Sequence, residues 1–317
     1  ERYLSNTTCV CDDTMEEDYD THVQAVKLLS QAEEMFEKGK YVECRDLLND
    51  SAALDQSQGR TWELMGLLDL GEGDFQAATY NFETSVNCGG YNQVSEMALN
   101  VMKSSSWPQG GDEADTVDRM TIMGEVFLKD RMWDAAALCF GNLLEKVEPD
   151  WRLLSILGLI NREMDFLDRS IEYYRKAADM PDAPPEVFSD LSIALIKNGD
   201  LKEAEDMLRS LLESIEGAPQ VWNNLGTVLE IKGELDQALE SYERAVEIDE
   251  RYYPSLYSIG RILQKKGDMD RAREYMDRAL KIEGRVYNIE DVSGREKREA
   301  DGKVHAKEVM TSDDRNA

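Results

Sequence analysis

A 34-residue period governs most of this chain and leaves few ways to fold it. Frames open at Ala25, Gly59, Val117, Trp151, Pro185, Pro219 and Tyr253. The first two abut, and the last five run without a gap from 117 to 286. The eighth place of each frame is small: Ala32, Gly66, Gly124, Gly158, Ser192, Gly226 and Gly260. So is the twentieth: Cys44, Ala78, Ala136, Ser170, Ala204, Ala238 and Ala272. Large residues surround them, with Trp62, Phe188 and Trp222 at fourth places and Phe82, Phe140, Tyr174 and Tyr242 at twenty-fourth places. The fourth, seventh, eighth and eleventh places are spaced for one helix face, and the twentieth, twenty-fourth and twenty-seventh for another. Small residues midway along both helices let the backbones approach, so each frame predicts two helices crossing there. Between them stand Gly39, Gly73, Gly199, Gly233 and Gly267, the residue type that ends a helix in a left-handed conformation without strain. Pro149, Pro181, Pro184, Pro185, Pro219 and Pro254 all fall at frame junctions, where a missing N–H matters least.

This pattern resembles the tetratricopeptide-repeat family over Ala25 to about Val286. The resemblance implies an all-α fold: a right-handed superhelical solenoid of about seven antiparallel helix-pair repeats. Some places depart from the family pattern. Arg131 and Asp165 replace the turn glycine in the third and fourth frames, which predicts looser turns. Asp69 and Asn161 put polar groups at eleventh places that are usually large and apolar, and Gln31 does so at a seventh place.

The frame divides the chain into an acidic mobile segment (1–24), two repeats with an extra helix (25–102), a hinge loop (103–116), five contiguous repeats (117–286) and a polar mobile tail (287–317). Val94, Met97, Ala98 and Val101 carry the extra helix, and the Ser, Gly and Pro content of 104–115 marks the loop. No amphipathic capping helix follows the seventh frame, so Ile259, Leu263, Met276 and Leu280 are expected to be partly bare. Self-association through the C-terminal repeat, a tail folded back through Val286, Tyr287 and Ile289, or a continuation of the chain would each cover them. The absence of an initiator Met at Glu1 fits a processed, trimmed or fragmentary chain alike.

Composition narrows the function. With 65 acidic against 36 basic residues, the net charge of −29 argues against nucleic acid, which needs clustered Lys and Arg. It also argues against anionic membrane surfaces. Membrane insertion is not expected, because no apolar run approaches the roughly 20 residues of a bilayer span; the best, Leu153 to Ile160, is far shorter. Five scattered cysteines do not make a secreted disulfide framework, so a reducing, cytoplasmic setting is expected.

Catalytic chemistry finds no footing. His22 and His305 are the only histidines, both lie outside the repeat frames, and neither has the neighbouring acid and nucleophile pattern of a catalytic unit. Cys9 and Cys11 lack a second pair at zinc-site spacing, while Cys44, Cys88 and Cys139 fit small apolar packing in second helices. The glycines are repeat punctuation, not a phosphate cradle. No metal, cofactor or catalytic residue is therefore assigned. Function is left to the surface, and the resemblance places it on the inward face of the first helices, at the second, fifth, ninth, twelfth and thirteenth places. No Lys holds a fifth place, so the carboxylate clamp of the family's chaperone-binding members is not expected. Asn223 is expected to face Arg261 and Lys265, with Lys129, Arg162 and Lys197 at comparable inward places. An Asn amide can bond a peptide backbone both ways, and the bases would meet acidic groups. The expected function is a non-catalytic scaffold or adaptor that binds an extended or helical segment of another protein. The alternative is a regulatory or targeting module of a larger enzyme or transport assembly.

Overall fold

The structure is a computed structural model, and it describes residues 13–89, 93–108, 110, 112–215 and 218–283. The expected C-terminal tail, with Val286, Tyr287, Ile289 and His305, lies outside the described residues, as do Cys9 and Cys11. Every regular element among the described residues is a helix. The chain forms two compact units, meeting in sequence at Ala183 and Pro184.

Unit 1 contains α1 (Asp13–Glu37), α2 (Tyr41–Leu54), α3 (Gly59–Glu72), α4 (Phe75–Cys88), α5 (Gln93–Met102), α6 (Glu113–Lys129), α7 (Trp133–Lys146), α8 (Trp151–Glu163) and α9 (Leu167–Ala178). Unit 2 contains α10 (Pro185–Asn198), α11 (Leu201–Ser214), α12 (Pro219–Lys232), α13 (Leu235–Ile248), α14 (Tyr253–Lys265) and α15 (Met269–Glu283). Each frame corresponds to one packed pair of consecutive helices, with α5 left over. Frames two, four, five, six and seven open on the first residues of α3, α8, α10, α12 and α14. Proline in the first turn starts α10, α12 and α14, where its fixed φ is already helical.

The small eighth places work by receiving a large twenty-fourth residue from the paired helix. A Cβ built on Gly66, Gly124, Gly158 or Gly226 would lie 2.6–2.9 Å from the ring of Phe82, Phe140, Tyr174 or Tyr242, closer than side chains tolerate. Those rings are buried as a consequence, Tyr174 and Phe82 completely. All five expected turn glycines have positive φ.

Arg131 and Asp165 correct one expectation. Both adopt the same left-handed conformation, with φ of 59° and 65°. The chain-reversing bonds are as short as at a glycine turn: Met132 N donates to Phe127 O at 2.9 Å and Phe166 N to Asn161 O at 2.8 Å, against 2.9 Å for Asp74 N to Asp69 O. The helix pairing sets the turn, and the side chain bears the strain. Arg131→Gly is accordingly expected to raise the unfolding free energy by about 1 kcal/mol, the left-handed penalty less the added freedom of the unfolded chain. The gain at Asp165 should be smaller, since Asp tolerates this region better. Urea unfolding with an unchanged slope reads both, and a lowered midpoint for Arg131→Gly would refute the account.

The polar eleventh places are also satisfied. Asp69, nearly buried, accepts from Arg45 Nη1 at 2.7 Å and Asn81 Nδ2 at 2.5 Å, tying α3 to α2 and α4. Asn161 Nδ2 donates to Leu157 O within α8.

Three features of the domain reading differ in the structure. Helix α1 begins at Asp13, inside the segment read as mobile, and His22 Nδ1 lies 2.6 Å from Asp55 Oδ2 at the end of α2. The 103–116 interruption does not separate the compact units; one hydrophobic core runs across it from Ala32 to Ile160. Trp107 is the reason. It is buried edge-on against Phe75, and Arg119 covers both rings while donating to Pro108 O from Nε at 3.0 Å and Nη2 at 2.7 Å. Finally, Ile259 and Leu263 are buried, and Met276 and Leu280 half-buried. The α14–α15 pairing covers them, because Met276 packs onto Gly260.

Candidate partner-binding face

In unit 1 the inward face of the second repeat is already filled. Four of its five inward places, Glu63, Leu67, Leu70 and Gly71, are buried, and Arg60 at the second place is exposed. A Cβ on Gly71 would come within 2.6 Å of Asn142 Nδ2 and 2.7 Å of Leu138 Cγ, so α7 presses against this face. Helix α5 covers another part, where Glu63 Oε2 accepts from both Ser95 N and Ser95 Oγ at 3.1 Å and Arg60 Nη1 pairs with Oε1 at 2.6 Å. Eleven of the fourteen residues of α3 are buried, so it keeps no broad solvated face.

Unit 2 is different. On α12, Asn223, Thr227, Glu230 and Ile231 share one side, and on α14 Tyr257, Arg261 and Lys265 recur every four residues along one side. Glu230 is the centre of the group. Its Oε1 accepts from Arg261 Nη2 at 2.7 Å and Lys265 Nζ at 2.9 Å, bridging the two helices. Its Oε2 lies 3.2 Å from the Tyr242 hydroxyl, which lies 3.2 Å from Thr227 Oγ1. Thr227 Oγ1 is itself 3.0 Å from the Asn223 carbonyl and donates there. The single phenolic proton of Tyr242 is then available to the carboxylate. Burial first, with the nearby Glu230 charge adding to it, outweighs the Thr227 bond and pushes that phenol up to about 12, so it stays protonated.

The sequence-derived residues separate as follows. Arg261 and Lys265 are brought together, but on Glu230 and not on Asn223. The Asn223 Oδ1 instead accepts from Ser255 Oγ at 2.9 Å, which binds α12 to α14. Lys197 is exposed in the last turn of α10. Lys129 and Arg162 belong to unit 1, the first exposed at the end of α6 and the second half-buried with Nε 3.2 Å from Glu163 Oε1. Neighbouring Asn224 is structural: its buried Nδ2 reaches Ser189 O, Ser189 Oγ and Ser192 Oγ of α10 at 2.9–3.1 Å. Ile231 and Tyr257 escape a search for charged residues, yet they are 54% and 42% exposed, large apolar groups left in water beside the charged cluster. Their signal is an Ile at an inward thirteenth place flanked by Lys197 and Lys265 at the equivalent places.

One arrangement elsewhere has the residue types of a catalytic triad. His22 meets Asp55, and Ser57 is close by, but Ser57 Oγ donates to Asp55 Oδ1 at 2.7 Å. The hydroxyl proton is thus spent on the carboxylate and the imidazole has no serine to activate. The Asp55 carboxyl is held well below the usual range by the Ser57 hydroxyl and backbone N–H, with His22 and Gln58 contributing. The thiols of Cys44 and Cys139 are pushed up to about 11 and about 12 by burial, which keeps them un-ionised and inert at neutral pH. Among the described residues no group of three His, Cys, Asp or Glu is placed to hold a metal. No helix among them is long and apolar enough to cross a membrane.

Part of the chain matches a known family. A tetratricopeptide-repeat family model matches residues 217–282, which is the part of unit 2 that carries the Glu230 cluster. No curated protein matches the chain. Among solved structures, a crystal structure of MamA is similar at 24% identity and a TM-score of 0.43, over 51% of this chain and 94% of that one. MamA residues 41 to the end from Desulfovibrio magneticus RS-1 align at 15% identity and a TM-score of 0.46, over 56% and 99%. YrrB, described as a TPR protein with an unusual peptide-binding site, aligns at 16% identity and a TM-score of 0.41, over 67% and 96%. The 34-residue frame is realised as successive helix pairs, and its sixth and seventh frames match the tetratricopeptide-repeat family model.

Proposed function

We propose that this chain is a non-catalytic adaptor whose second unit grips an extended or helical segment of another protein on the inward face of α10, α12 and α14. The observation that carries this reading is the exposure of Ile231 and Tyr257 beside the Arg261–Glu230–Lys265 cluster. Exposed apolar side chains next to oriented polar groups supply both affinity and register to a bound segment. Asn223 contributes an amide whose oxygen is engaged by Ser255 and whose Nδ2 makes only a long 3.4 Å contact to Asn224 Oδ1, leaving it suited to a partner carbonyl. Lys197 adds a third cation to this face, and Lys129 and Arg162 are assigned the equivalent role in unit 1. Nucleic acid is excluded from the proposal on charge.

The triple variant Asn223→Ala, Arg261→Ala, Lys265→Ala is the test. Partners enriched on the immobilised chain and quantified by mass spectrometry should fall about tenfold or more, with the helical circular dichroism unchanged. Equal capture by a folded variant would refute the assignment of these residues.

A further inference from the structure

The Glu230 cluster says more about the partner than that it binds there. Two cations from α14 converge on a single oxygen of one carboxylate. The carboxylate is the sheltered member, its side chain 11% exposed, while Arg261 and Lys265 remain 43% and 52% exposed. A guanidinium and an ammonium carry five and three N–H donors, and Glu230 engages one from each. The second carboxylate oxygen accepts from the Tyr242 hydroxyl, so Glu230 is held at both oxygens while both cations stay partly exposed. The three side chains carry two positive charges against one negative, opposite in sign to the chain's net charge of −29. On the flanks stand Ile231, next in sequence to Glu230, and Tyr257, one turn before Arg261.

We infer that Glu230 is a built-in stand-in for a ligand carboxylate, and that the occupant of this face is an acidic protein segment with aliphatic residues beside its acid. An Asp or Glu side chain of the partner takes donors of Arg261 and Lys265 that Glu230 either leaves open or yields, while its aliphatic neighbours cover Ile231 and Tyr257. Glu230 sets the strength of the site: it holds the cations in position when the face is empty and competes with the partner's acid when it is filled. The inference rests on the binding face proposed above and adds the chemistry of what it takes.

The test is fluorescence anisotropy on the full chain with three labelled peptides. One alternates leucine and glutamate and has an amidated C-terminus. The second replaces each glutamate with glutamine. The third is the glutamine peptide with a free C-terminal carboxylate. The wild-type chain should bind the glutamate peptide at least about threefold more tightly than either other peptide. Glu230→Gln should tighten the glutamate peptide by about three- to tenfold, the scale of relieving two partly exposed ion pairs, and leave the amidated glutamine peptide within about twofold. Arg261→Ala with Lys265→Ala should abolish the preference. Unchanged or weaker glutamate-peptide binding by Glu230→Gln overturns the inference, as does preference for the free terminal carboxylate or failure of any peptide to bind. The two readings fail separately. If Ile231→Ala with Tyr257→Ala weakens both amidated peptides but Glu230→Gln moves neither, the face stands and the acidic occupant falls. If neither variant changes anything, both fall.

Discussion

Replacing Tyr242 with alanine is expected to remove about 3–5 kcal/mol from the unfolding free energy of unit 2, the usual cost of deleting a fully buried aromatic. The ring is 1% exposed and rests on Gly226, so nothing smaller than a side chain can refill the space without moving α12 against α13. Tyr242→Phe keeps the ring and removes only the hydroxyl between Glu230 and Thr227, so its cost should be about 1 kcal/mol. Urea unfolding followed by circular dichroism separates the two. A loss below about 1 kcal/mol for the alanine variant would mean that the eighth-place glycine is not paired with this ring in solution.

The second large effect belongs to unit 1. Asp69→Ala leaves Arg45 and Asn81 without the carboxylate that joins them, at a site where the acid side chain is only 8% exposed. Breaking a buried charge pair on one side costs about 3–5 kcal/mol. Arg45 is 30% exposed and keeps Glu72 at 2.9 Å, so the lower end, about 3 kcal/mol, is expected here. For a unit of this size that corresponds to a drop in Tm of about 6–12 °C. Asp69→Asn, which retains one acceptor for Arg45, should lose less. A thermal melt of Asp69→Ala indistinguishable from wild type would show that water replaces the carboxylate.

These two sites also mark what can and cannot be read from sequence. Pairing of Gly226 with Tyr242 follows from a repeated pattern, because a small residue at one fixed place and a large one at another recur at the same spacing. Asp69 appears only as a departure from that pattern, since its partners Arg45 and Asn81 lie 24 and 12 residues away and share no periodicity with it. Trp107 was hidden for a similar reason. Its neighbours Ser, Pro and Gly give a loop composition, and one anchoring aromatic does not alter that average. Arg131 and Asp165 show the opposite failure: local preference argues for a looser turn, and packing of the flanking helices overrides it. At the proposed binding face, the bases were legible as inward places of the frame. Glu230 was not, because in so acidic a chain a single glutamate carries no signal until Arg261 and Lys265 are seen to converge on it.

The filled inward face of α3 has a consequence for how this protein can be lengthened or shortened. Where frames abut, as at Pro219, a copied 34-residue block keeps the small-to-large pairing inside each helix pair, but Asn224 would lose Ser189 and Ser192, or Glu230 its Arg261 and Lys265, at the new junction. At Gly59 the block is not interchangeable: Gly71 needs α7 and Glu63 needs α5. Duplication in unit 2 thus asks only for matched side chains at the new junction, whereas copying the second frame also leaves Gly71 and Glu63 without the helices they pack on.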